Sequence, residues 1–122
     1  MNPFVFVLVC IGGGVGAGLR FMADGAIKER VATSIPVGTV AINVSGCLLL
    51  GLLTGFAVGH ASTIAVLGTG VMGGYTTFST ASFETVRLIQ EGRRGPALWT
   101  GLGTLFGGVA AALLGLWLGL GL

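Results

Sequence analysis

Gly73-Gly74-Tyr75-Thr76-Thr77-Phe78-Ser79-Thr80-Ala81-Ser82-Phe83-Glu84 is a polar island in an apolar stretch. Before it, Ile64 to Met72 is apolar apart from Thr69; after it, Thr85 to Gln90 continues at helical spacing. A helix that enters hydrocarbon at Ile64 reaches the island near mid-depth. Polar or unwound backbone at that depth is tolerated only where it is buried in protein or lines a cavity. The residues themselves allow two readings. One is a small-residue patch where helices pack closely. The other is a helix broken near Gly73 to Ser79, whose freed carbonyls and hydroxyls form an ion site.

The rest of the chain is a membrane protein by composition. Of 122 residues, 53% are hydrophobic and 8% charged, with mean hydropathy +0.99; a soluble domain carries about a quarter charged residues. Each span needs roughly 20 apolar residues. The predicted architecture is all-α, one four-span membrane domain over 1–122, with spans at about 3–26, 37–59, 64–90 and 96–120. No Lys or Arg precedes the first apolar run, which argues for a span and against a signal peptide. Glycine pairs four residues apart recur, at 12/16, 14/18, 51/55, 55/59, 103/107 and 115/119. That pattern is expected of closely packed membrane helices.

Other chemistries find little footing. Cys10 and Cys47 lie inside apolar spans and read as small buried hydrophobes. His60, the only histidine, reads as a solvated turn residue with no second ligand at metal spacing. The net charge of +2 sits in connections, so no nucleic-acid partner is expected. There is no catalytic triad, HExxH or phosphate-cradling glycine loop before a βαβ unit, so the chain does not read as an enzyme.

GGYTTFSTASFE resembles the third-span signature of the small bacterial fluoride channels, the CrcB or Fluc family, commonly GGxTTFSTFxxE. The glycine pair, Thr76, Thr77, Phe78, Ser79, Thr80 and Glu84 fall in place. Ala81 departs, standing where the family usually has a second phenylalanine. Phe83 lies two residues on, about 200° round a helix, and cannot take that role. Gly12 to Phe21 resembles the first-span pattern GGxxGAxxRY, and Gly38 to Gly46 the second-span pattern GTxxxNxxG. Thr39, Asn43 and Gly46 share one helix face.

The resemblance implies a fluoride-specific channel in the plasma (inner) membrane, lowering cytoplasmic fluoride by passive efflux. It implies an antiparallel dimer with pores lined by both subunits, formed with itself or with a homologous subunit. It also implies a structural Na+ at the dimer interface, held by backbone carbonyls of Gly73 and Thr76 from each subunit. The candidate pore residues are Asn43, Phe78, Ser79, Thr80, Ser82, Phe83, Glu84, Thr104 and Arg20. Neutral donors suit fluoride passage. Amide and hydroxyl protons and the positive edge of a phenyl ring replace the ion's water without holding it too tightly. Asn43 is an ion-lining donor under the resemblance and interhelical glue without it. Arg20 either snorkels to the interface or sets a positive field at the pore mouth. Thr100 and Thr104 either back-bond to the preceding turn or continue a polar track. Two alternatives stand beside the channel. One is a non-conducting, supporting subunit of a heterodimeric channel, which Ala81 keeps open. The other is a small proton-coupled exporter, for which Glu84 is the only deep carboxylate.

Charge predicts the orientation. Lys28 and Arg30 lie in the first connection, and Arg87, Arg93 and Arg94 flank or occupy the third; the opposite side has no Lys or Arg. The positive-inside rule puts both basic connections in the cytoplasm and both termini outside. A cysteine added at the C-terminus should therefore react mainly with impermeant reagent outside intact cells; equal labelling from both sides would show dual insertion.

Overall fold

The computed structural model describes residues 2–31, 33 and 35–121, and every described regular element is helical. Helix α1 covers Pro3–Arg30. Pro3 occupies the first turn, and the Asn2 side chain accepts from the Val5 N–H at 2.8 Å. The helix continues past the predicted end near residue 26. An Asp24–Lys28 ion pair, 3.0 Å across one turn, and basic residues in the last turn favour that extension. Ala32 and Ser34, in the predicted connection, lie outside the described residues. Helix α2 covers Val37–Phe56 and stops short of the predicted residue 59, because the chain reverses at Gly59 with φ +85°.

The third segment differs most from expectation. It begins with one turn, α3 (Ala61–Thr63), widens into a π-helix over Ile64–Met72, and tightens again in α4 (Gly73–Tyr75). Only Thr76 and Thr77 are extended, at φ −82°, ψ 159° and φ −147°, ψ 117°. Helix α5 then runs Phe78–Gln90. The break is thus narrower than Gly73 to Ser79: both glycines and Ser79 are helical. Gly92, at φ +76°, makes the last turn. Helix α6 covers Arg94–Leu120, starting ahead of the predicted 96, with Pro96 in its first turn.

Glycine contacts fix how the segments lie. A Cβ on Gly51 or Gly55 would strike backbone at Ala112 and at Leu116 to Leu120; one on Gly115 or Gly119 would strike backbone at Leu48 to Phe56. The contacts advance together along both chains, so α2 and α6 run parallel, backbone against backbone. The same holds for α1 and the third segment: Gly12 meets Val66 and Val71, Gly16 meets Val71 and Tyr75, and Gly74 meets Gly13. Between these two pairs, Thr39 meets Glu84, Asn43 meets Thr77 and Ser45 meets Tyr75. Here the numbers run oppositely, so α2 is antiparallel to the third segment. The four segments alternate in direction.

The glycine pattern is informative in part. The pairs 12/16, 51/55 and 115/119 are packing sites, whereas Gly14, Gly18 and Gly59 face open space. Cys47 packs against Gly108, but Cys10 lies on the outer surface and is not the buried hydrophobe expected. Ile42, Leu88 and Thr100 are fully buried, while Phe4, Phe21 and Trp117 face outward. Helices α1, α2 and α6 are each long and apolar enough to cross a membrane, which accounts for that outward apolar surface.

Gly16→Ala and Gly115→Ala should each cost about 1–3 kcal/mol by overpacking, because the obstacle is backbone. Gly18→Ala should be neutral. Thermal unfolding of the three purified variants in one detergent checks the contrast.

Candidate functional site

The site is built around the two extended residues. Buried Asn43 reaches across from α2 and holds Thr77 twice: its Nδ2 donates to the Thr77 carbonyl at 2.9 Å, and its Oδ1 accepts from the Thr77 N–H at 2.7 Å. Below it on α2, Thr39 Oγ1 donates to Glu84 Oε1. Above it, Gly46 lies against Tyr75 and Thr76, and Ser45 and Tyr75 share a hydrogen bond of 3.1 Å. The single face carrying Thr39, Asn43 and Gly46 is therefore the face pressed onto the broken segment.

The clamp changes where backbone groups go. In an uninterrupted helix the Gly73 carbonyl would accept from the Thr77 N–H, and the Thr76 carbonyl from the Thr80 N–H. The first N–H goes to Asn43 instead. The second goes to Thr77 Oγ1, at 3.2 Å, which caps the start of α5. Gly73 and Thr76 both line a cavity of about 500 Å³, together with Asn43, Thr77, Phe78, Ala81 and Thr104. Two carbonyls released from helical bonding beside a cavity are hard oxygen donors, a chemistry that fits an alkali cation.

Helix α5 divides the remaining candidates between two faces. Phe78, Ala81 and Ser82 face α6, where they line a second cavity of about 440 Å³ with Thr104. The Phe78 ring is 88% exposed on the protomer surface. Thr104 Oγ1 is buried without a hydrogen-bond partner among the described residues, whereas Thr100 back-bonds to the Pro96 carbonyl at 2.9 Å. The other face of α5 looks toward α1 and α2. Thr80 and Arg20 line a cavity of about 300 Å³ with Thr39, Thr77 and Asp24. Glu84 lines the adjoining polar cavity of about 320 Å³ with Arg87, Glu91, Arg93 and Lys28. Ser79 is exposed, its Oγ 3.3 Å from Thr77 Oγ1. Phe83 is 67% exposed and lines none of these cavities.

Residues 7–116 match the family described as CrcB-like protein, Camphor Resistance (CrcB). The chain belongs to the CrcB family. A protein of Leifsonia xyli subsp. xyli named fluoride-specific ion channel FluC 1 is 52% identical, covering 98% of this chain and 89% of that protein. A protein of Cutibacterium acnes named fluoride-specific ion channel FluC 2 is 49% identical, covering 91% of this chain and 94% of that protein. One of the same name in Mycobacterium tuberculosis is 40% identical, covering 93% of this chain and 90% of that protein. In this chain the clamp, the two released carbonyls and the exposed ring stand around one cavity, with Ala81 beside Phe78.

Two contributors fall outside the candidate set read from sequence. Thr77 is the hub, yet in sequence it is one threonine of a pair. Thr39 is the hydroxyl partner of Glu84, foreshadowed only by its place on the Asn43 face.

Asn43→Ala leaves the buried N–H of Thr77 unpaired, worth about 1–3 kcal/mol, and removes one of the bonds to its carbonyl, which as the α5 N-cap still accepts from within the helix. Asn43→Asp can still accept from the N–H but cannot donate to the carbonyl. Thermal unfolding should rank wild type above Asp and Asp above Ala.

Proposed function

We propose that this chain is a subunit of a fluoride-specific ion channel in the inner membrane, crossing four times and passing fluoride passively out of the cytoplasm. Its relatives are named as channels and not as enzymes. The observation that carries the reading is the open face after the break. There the exposed ring of Phe78 shares cavities with the Thr104 hydroxyl, which has no partner among the described residues, and with Asn43 and Ser82. These are neutral donors for a small, strongly hydrogen-bond-accepting anion. An ion there must bind weakly enough to leave.

The face is half of a pathway. An aromatic ring and hydroxyls exposed on one protomer require a second wall, which an antiparallel dimer partner supplies. The alternating segment directions support four crossings, with the interrupted third segment completing the three continuous spans. The released carbonyls of Gly73 and Thr76 would hold a structural Na+ between subunits, where a cation offsets clustered carbonyl dipoles. On the basic side, Arg20 and Arg87 would meet an anion at the mouth of the path, in cavities whose Asp24, Glu84 and Glu91 balance the cations and keep it from being held tightly.

Ala81 favours a second reading, a supporting subunit. At its level this chain offers a void and no ring, so a homologous partner would supply the second aromatic edge. The exporter alternative has no support from the family.

Reconstituted in liposomes, the channel should release fluoride and essentially no chloride, as read by ion-selective electrodes. Phe78→Ile should slow fluoride by roughly tenfold, the weight of an aromatic contact near 1.4 kcal/mol, with assembly retained. Comparable chloride and fluoride rates would overturn the reading. Fluoride flux appearing only when a homologous subunit is co-expressed would select the supporting-subunit form.

A further inference from the structure

Next to the Phe78 cavity, toward the basic end, α5 and α6 enclose a groove of about 410 Å³. Arg94, Leu98, Gly101 and Leu102 form its α6 wall, one stripe at helical spacing; Thr85 and Ile89 form the α5 wall. From Arg94 to Leu102 the stripe is about 12 Å long. Its walls are apolar in effect, because the Thr85 hydroxyl is turned inward and donates to the Ala81 carbonyl at 2.7 Å. Gly101 contributes no side chain and forms the floor, the nearest atom to a Cβ there being Thr85 Cγ2 at 3.7 Å.

Charge sits at one end only. Arg94 begins α6 and closes the groove on the basic side of the protein. Among the described residues it joins no ion pair. Its neighbours are committed elsewhere: Arg87, Glu91 and Arg93 line the polar cavity on the other side of the turn. No side chain caps α6, and its first turn holds no acidic residue. Pro96 has no N–H and the Ala97 N–H goes to the Arg93 carbonyl, while the N–H groups of Arg94 and Gly95 meet no backbone acceptor among the described residues. An apolar groove that ends in a free cation and an uncapped positive helix end is complementary to one ligand chemistry, an acyl chain joined to a phosphate.

We infer that this groove is a binding site for an anionic phospholipid, with one acyl chain along Leu98, Gly101 and Leu102 and the phosphate at Arg94. Basic pockets between membrane helices on the cytoplasmic side hold anionic headgroups in this way. The positive-inside bias puts Arg94 on that side. The groove shares Thr85 and Gly101 with the Phe78 cavity but not Phe78, Ser82 or Thr104, and its test reads lipid retention and not ion flux, so it stands or falls separately from the channel reading.

Native mass spectrometry of the purified protein, titrated with dioleoyl-phosphatidylglycerol or dioleoyl-phosphatidylcholine, tests it. Wild type should retain phosphatidylglycerol roughly fivefold more tightly, the weight of one arginine near the surface. Arg94→Gln should erase that preference, Arg94→Lys should keep it, and Arg93→Gln should leave it unchanged. Gly101→Leu, which fills the floor but keeps the charge, should weaken retention of both lipids. The proposal fails if Arg94→Gln preserves the preference or Arg94→Lys abolishes it. It fails if Gly101→Leu retains lipid like wild type, or if inorganic phosphate displaces the lipid, which would mark a free phosphate site. It fails equally if wild type retains neither lipid because a second subunit covers the groove.

Discussion

A helix interrupted within hydrocarbon must find partners for the groups that the interruption releases, since water is not there to take them. In this protein one primary amide takes the central residue of the break, Thr77. Asn43 presents a donor and an acceptor in a single plane, and Thr77 presents a carbonyl and an N–H to match. Neither a hydroxyl nor a carboxylate can offer both at once from a rigid group. With Thr77 held extended, its own hydroxyl caps α5, the carbonyls of Gly73 and Thr76 are freed beside the cavity, and Phe78 starts a new helix with its ring outward. The chemistry of the site follows from where that amide sits.

The clamp needs a rigid frame, which glycine provides. Lipid tails are as apolar as leucine, so helices in a bilayer gain little by hiding apolar side chains from it and associate by close packing instead. Two parallel pairs, α2 with α6 and α1 with the third segment, meet backbone to backbone at glycines. The polar contacts between segments fall on the seam where the pairs face each other antiparallel. That segregation lets the seam hold hydroxyls, an amide and a carboxylate without exposing them to lipid.

Hydropathy and the glycine spacing made the helical membrane class and the close packing legible, and the motif made the clamp residue and the exposed ring legible as candidates. The boundaries were less so. Gly73 and Gly74 read as the place of unwinding, but Gly74 is helical and is glycine because Gly13 of α1 lies against it. The unwinding falls on Thr76 and Thr77, whose β-branched side chains suit extended backbone. The π-helix over Ile64–Met72 left no trace in periodicity, because a nearly all-apolar run has no polar phase against which a wider pitch would register. Partner identity was equally invisible: that Asn43 would meet Thr77 and not Thr76 depends on tertiary register.

Counting protons separates the hydroxyls that can serve an anion from those that cannot. Each Ser or Thr hydroxyl has a single proton to give. Thr76 spends its proton on the Met72 carbonyl, Thr85 on Ala81 and Thr100 on Pro96, all within their own segments. Thr39 gives its proton to Glu84. What is left around the break is Thr69, Thr80, Ser82 and Thr104, whose hydroxyls donate to nothing among the described residues, one proton of the mutually bonded Thr77–Ser79 pair, and the one amide hydrogen of Asn43 not engaged with Thr77. Thr104 and Ser82 lie on the Phe78 side of α5, and Thr80 lies on the side of Arg20. A desolvated anion on the Phe78 side therefore meets few protein donors at any one level. That sparseness makes the Phe78 ring matter, and it gives Ala81 its consequence: at that level this chain offers an anion no second ring.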